Sequence, residues 1–153
     1  MSDQRIAKER RPVLFTLADG SEVKGEVFLS LYEAKRMGPQ RVGELLNGEE
    51  GFLPVSTSEG MIHLNVSNIV TARTGMKSEW DDLETLGKKY TVRISTHLGE
   101  IAGEVFVNLP REHSRVSDYL NQPDRFLRIA GPEEILYIGA RFILAVRDEQ
   151  PVS

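Results

Sequence analysis

Gly25-Glu26-Val27-Phe28-Leu29 recurs as Gly103-Glu104-Val105-Phe106-Val107, 78 residues further along the chain. Arg41-Val42-Gly43-Glu44-Leu45-Leu46-Asn47 recurs as Arg115-Val116-Ser117-Asp118-Tyr119-Leu120-Asn121, now 74 residues on. The second offset also carries Phe52-Leu53 onto Phe126-Leu127, Glu59 onto Glu133, Ile69 onto Ile143 and Arg73 onto Arg147. The blocks keep their order, which marks an internal duplication. The fall from 78 to 74 puts four extra residues in the first copy, within Tyr32 to Gln40, where Lys35, Arg36, Gly38 and Pro39 read as a loop. The first copy spans residues 12–73 and the second 89–147, with a tail at 1–11, a linker at 74–88 and a second tail at 148–153.

Each copy reads mostly as strand. Val13, Phe15 and Leu17 alternate with smaller or polar neighbours, and Asp19-Gly20 follows as a two-residue hairpin signal. The next strand carries Val23, Val27, Leu29 and Leu31 on one face with Gly25 in phase among them; Ile101, Gly103, Val105, Val107 and Leu109 repeat the pattern. A glycine at such a position lets a neighbouring strand come close and marks a bulge or sharp bend. A strongly bent strand is what a small sheet needs to curl into a barrel. An offset of 78 would set Val92 opposite Leu14 and reverse the face, so the turns Asp19-Gly20 and His97-Leu98-Gly99 are expected to differ by one residue.

Val42, Leu45 and Leu46, like Val116, Tyr119 and Leu120, then fall at i, i+3 and i+4, a short helical stripe. Arg41 with Glu44 and Arg115 with Asp118 are spaced for surface ion pairs, and Asn47 and Asn121 are expected to end the helices in a left-handed conformation. Three extended runs complete each copy: Phe52 to Val55, Met61 to Leu64 and Asn68 to Ala72, then Phe126 to Ile129, Ile135 to Ile138 and Phe142 to Val146. The expected fold is mostly β: two tandem five-stranded, strongly bent antiparallel barrels, each with a short helical turn. A short capped helix from Ser78 to Gly87, with Trp80, Leu83 and Leu86 on its apolar face, joins them. Trp80 is expected to pack against the domains or to serve as a contact point for a partner.

Composition narrows the function. The chain has no cysteine, so thiolate chemistry, iron–sulfur clusters and cysteine zinc sites are excluded. No apolar run approaches the roughly 20 residues of a membrane helix, and the charged, polar start from Met1 to Pro12 is unlike a signal peptide. A soluble, cytoplasmic protein is expected. The net charge of −4 is made of +1 over residues 1–10, −2 over 11–73, −2 over 74–88, +1 over 89–147 and −2 in the tail, so no segment is strongly basic. His63, His97 and His113 are isolated, without metal-ligand spacing or a neighbouring nucleophile. Glu49-Glu50, Asp81-Asp82 and Glu133-Glu134 read as solvated charge. No catalytic, metal or cofactor residues are assigned.

The bent pair written Asp19-Gly20-x-x-x-x-Gly25 and closed by two short strands resembles the Sm-like fold, over about residues 12–73 and 89–147. Sm proteins that read RNA carry an Asp-x-x-Met-Asn segment and a later Arg-Gly turn. Here Glu44-Leu45-Leu46-Asn47 and Asp118-Tyr119-Leu120-Asn121 stand at the first, and Leu64-Asn65 and Ile138-Gly139 at the second. The resemblance therefore implies the fold more than RNA recognition. The Arg-Val-x-Asp/Glu-x-Leu-Asn block is also similar to one in small bacterial domains without established chemistry. Arg111-Glu112-His113-Ser114-Arg115 resembles the Arg-x-x-x-Arg clamp of PilZ domains, which implies a cyclic dinucleotide ligand.

Three functions are thus expected in order. The first is a non-enzymatic interaction module that pairs with a protein partner or with copies of itself through exposed strand edges. The second is RNA or single-strand binding by Arg111, Arg115, Arg125, Arg128 and Arg141. The third is a small-ligand sensor built on the loop around Arg111.

Overall fold

The computed structural model describes residues 8–31, 40–75, 79, 87–107 and 115–149. The chain starts with a hairpin of β1 (Lys8–Leu17) and β2 (Glu22–Ser30). Its turn is fixed by Asp19, whose carboxylate accepts the Ser21 N–H at 2.9 Å and the Ser21 hydroxyl at 2.6 Å, and by Gly20 at φ 87°. A one-turn helix α1 (Val42–Leu46) precedes β3 (Phe52–Thr57) and β4 (Gly60–Asn65); a 3-10 turn (Val66–Asn68) then leads into β5 (Ile69–Gly75). The series repeats as β6 (Lys88–Thr96), β7 (Gly99–Val107), α2 (Val116–Leu120), β8 (Phe126–Ala130), β9 (Glu134–Gly139), a 3-10 turn (Ala140–Phe142) and β10 (Ile143–Glu149). The outer strands reach beyond the boundaries read from sequence, to Lys8, Gly75, Lys88 and Glu149.

All ten strands join one antiparallel sheet, in the order β10-β6-β7-β8-β9-β5-β1-β2-β3-β4. Two separate closed barrels were expected; instead the sheet is open and runs through both copies. The physical reason is the β5–β9 ladder, which sets Thr71 opposite Ile138 and Gly75 opposite Glu134 and so spends an edge of each half on the other. Order within each half is nevertheless identical, fifth strand, first, second, third and fourth.

Registers confirm the one-residue difference between the turns. Val13 faces Gly25 and Val92 faces Gly103, so the first strands are offset by 79 while the second strands are offset by 78. Val92 and Ile94 thus take the buried places of Val13 and Phe15. Both in-phase glycines work by close approach. A Cβ on Gly25 would lie 2.6 Å from the Ser56 carbonyl oxygen, and one on Gly103 3.0 Å from that of Ala130. Ser56 and Ala130 are the residues through which β3 and β8 pair with β2 and β7.

Two apolar cores result. One gathers Val13, Phe15, Val27, Leu29, Val55 and Ile69 from the first half and also takes Phe126, Ile135 and Tyr137 from the β8–β9 hairpin. The other holds Val92, Ile94, Val105 and Val107 with Ile129, Leu136 and Ile138. Successive side chains of β8 and β9 point to opposite faces, so this hairpin supplies both cores. Asn47 and Asn121 end their helices at φ −92° and −93°, not in the left-handed region; hydrogen bonds of their side chains hold them instead.

Candidate assembly interface

The two halves of the sheet meet at a seam built around the β5–β9 ladder. Glu79, fully buried, lies at its centre. Its carboxylate accepts the Val42 N–H at 2.9 Å, the Tyr137 hydroxyl at 2.6 Å and a hydrogen bond from the Arg11 guanidinium. Its backbone carbonyl accepts Arg128 Nη1 at 2.9 Å. One acid therefore joins β1, the start of α1, β8 and β9. Gly43 permits this, because a Cβ there would collide with the Tyr137 ring.

A second polar set grips backbone. Asn47 accepts the Phe126 N–H at 2.8 Å and donates to the Phe126 carbonyl at 3.3 Å, reading both groups of one residue at the β8 edge. Arg125 Nη2 donates to the carbonyls of Leu46, at 3.0 Å, of Glu50, at 3.3 Å, and of Gly48, which neutralises the end of α1. Arg141 Nη1 donates to the Ser67 carbonyl at 3.1 Å and lies over the Phe142 ring. A cleft of about 320 Å³ where α1 meets β8 is walled by Arg41, Glu44, Asn47, Tyr119 and Arg128, which include groups that hold this seam.

The arginines read as a nucleic-acid surface thus have other employment. Arg125, Arg128 and Arg141 bind backbone carbonyls across the seam. Arg115 is exposed and pairs with Asp118 at 3.2 Å. Arg111 and Trp80 lie outside the described residues, as do the loop at 32–39 and nearly all of the expected linker helix. His63 is exposed on β4, and His97 contacts the Ala18 carbonyl at 2.8 Å. Among the described residues, no group of acids and histidines is arranged to hold a metal, and no helix is long and apolar enough to cross a membrane.

Burial pushes the phenols of Tyr119 and Tyr137 up from their ordinary value, with the Glu79 charge adding to the effect on Tyr137. Above pH about 10 the unfolded chain ionises these phenols while the fold keeps them protonated, so the unfolded state binds fewer protons and stability falls as pH rises. Tyr137→Phe should shallow that decline, measured as the slope of unfolding free energy against pH between about 10 and 11.

Among the described residues, the sheet ends at two edges, β4 and β10. Met61 on β4, Leu144 on β10 and Phe52 on β3, next to the β4 edge, are exposed apolar side chains whose counterparts at the seam are buried. Phe52 is 58% exposed and Phe126 4%; Met61 is 52% exposed and Ile135 0%; Leu144 is 71% exposed and Val70 1%. No protein family matches the chain, and no curated protein or solved structure is significantly similar to it.

Proposed function

We propose that this chain is a non-enzymatic assembly module, a duplicated Sm-like unit whose copies join head to tail by pairing the β10 edge of one with the β4 edge of the next. The observation that carries this reading is the match between edges and seam: exposed Met61 on β4 is the counterpart of Ile135, buried in the β5–β9 ladder, and exposed Leu144 on β10 is the counterpart of Val70, buried on β5 beside that ladder. Continuing that ladder by one step sets Ala145 opposite Leu64, Val146 opposite His63 and Arg147 opposite Ile62 of a second copy. An unpaired edge with large apolar side chains is a template for strand addition. Such a contact is heterologous, so it closes into a ring or extends as a filament according to the rotation per step. The proposed site of action is the cytoplasm.

RNA binding is less well supported, because Arg125, Arg128 and Arg141 already hold backbone carbonyls. A nucleotide sensor would rest on Arg111 and Arg115, of which Arg115 pairs with Asp118.

Light scattering during size-exclusion chromatography tests the proposal. The wild-type chain should form an oligomer whose mass rises with concentration. Leu144→Lys and Met61→Lys should each weaken association by about 30-fold or more, as a buried anchor is replaced by a charge. Each variant keeps one good edge, so a mixture of the two should stop at a one-to-one dimer. A wild-type chain that remains monomeric throughout, or variants that assemble unchanged, would sink the reading.

A further inference from the structure

We infer, building on the head-to-tail assembly proposed above, that Asn121 of one copy latches onto the backbone of Phe52 in the next and thereby sets the register of the paired edges. The precedent is inside the chain. Asn47, just past α1, reads the N–H and the carbonyl of Phe126 with its own carbonyl oxygen and amide. Asn121 holds the corresponding place just past α2, and Phe52 is the counterpart of Phe126.

The acceptor side is ready for this contact. Phe126 stands opposite Gly139 in the β8–β9 ladder and Phe52 stands opposite Asn65 in the β3–β4 ladder, which is the same register moved by 74 residues. That register turns the N–H and the carbonyl of Phe126 away from β9 and towards Asn47. By the same geometry those of Phe52 face away from β4, towards an incoming chain. The donor side is ready as well. Asn121 is exposed, and its amide rests on the Ser117 carbonyl at 2.6 Å, a local bond that it can exchange for the new one.

Around this latch the seam is only partly repeated. Gly43 against Tyr137 becomes Ser117 against His63, a small residue facing a smaller ring. Arg125, which clamps the end of α1, has Gly51 as its counterpart, so that clamp is missing from the contact between copies. Asn121 is then the main polar determinant of register there, and the contact between copies is weaker and more readily reversed than the seam within one.

Sedimentation velocity with Asn121→Ala tests the latch. Loss of both backbone hydrogen bonds should weaken association by about tenfold, with only a small change in the melting temperature of the dilute chain, where Asn121 gives up one exposed bond to the Ser117 carbonyl. Asn121→Asp, which keeps the acceptor and loses the donor, should also weaken it. If Asn121→Ala associates like wild type while Leu144→Lys does not associate, the latch is wrong and the edge pairing stands. If the wild-type chain never associates, the edge pairing fails and the latch fails with it.

Discussion

Replacing Glu79 with alanine should lower the unfolding free energy by about 3–5 kcal/mol, the range seen when one partner of a buried charge pair is removed. The carboxylate is fully buried and answers three donors from separate elements: the Arg11 guanidinium, the Val42 amide and the Tyr137 hydroxyl. Alanine would leave all three without their acceptor in a site with little access to water. Each unmet donor carries a desolvation penalty of about 1–3 kcal/mol, so Arg11, only partly compensated by Glu9, would dominate the loss. Glu79→Gln keeps the shape and an acceptor but removes the charge, and should cost about half as much. Tyr137→Phe removes a single bond, about 1 kcal/mol. Because Glu79 and Tyr137 share that bond, the double variant Glu79→Ala with Tyr137→Phe should lose less than the sum of the two single losses. Urea unfolding at neutral pH measures these differences as shifts of midpoint at constant slope. A loss below about 1 kcal/mol for Glu79→Ala would show that the seam is held by apolar contact alone.

Much of each half was legible in the sequence because its signals are local or repeated. Gly25 and Gly103 fall in phase with apolar residues, and only the close approach of another strand gives a glycine there a use. The recurring sequence blocks supplied a second instance of every strand and helix. How the halves meet was not legible in the same way. The β5–β9 ladder depends on two strands recognising each other through backbone groups, which all residues share. One signal did bear on it: Ile135-Leu136-Tyr137-Ile138 is an unbroken apolar run, as expected of a strand covered on both faces, whereas Met61-Ile62-His63-Leu64 is interrupted by a polar residue.

The candidate site was less visible still. Glu79 stands in an acidic stretch beside Asp81, Asp82 and Glu84, and nothing local distinguishes the one acid that is buried. The arginines were read as a nucleic-acid surface, but the partners of Arg125, Arg128 and Arg141 are carbonyl oxygens, which leave no mark in a sequence. Likewise Asn47 was assigned to a helix end for its conformational freedom, whereas its side chain is what the seam uses. Exposure of Phe52, Met61 and Leu144 could be judged only against buried counterparts, and that comparison needs coordinates.

Gly25→Ala should destabilise the fold by about 3 kcal/mol, at the upper end of the cost of overpacking. The added methyl would lie 2.6 Å from both the Ser56 carbonyl oxygen and Val55 Cγ1, and 3.2 Å from Thr57 Cγ2. Ser56 is the residue through which β3 pairs with β2, so its carbonyl cannot retreat without opening that contact. Gly103→Ala meets Ile129 Cγ2, which belongs to a side chain, and the Ala130 carbonyl oxygen at 3.0 Å, so some relief is available and about 1–2 kcal/mol is expected. Gly51→Ala and Gly75→Ala, with nothing within 4 Å of the new methyl, should change stability by less than about 0.5 kcal/mol. Midpoints of urea unfolding rank the four variants, and a Gly25→Ala chain as stable as Gly51→Ala would overturn the account of the bend. The same substitution bears on assembly. β4 is tied to the sheet only through β3, and β3 joins β2 at the Glu26–Ser56 pair. A methyl that forces this pair apart therefore moves the β3–β4 hairpin, which carries Phe52 and Met61, and association should weaken together with the fold.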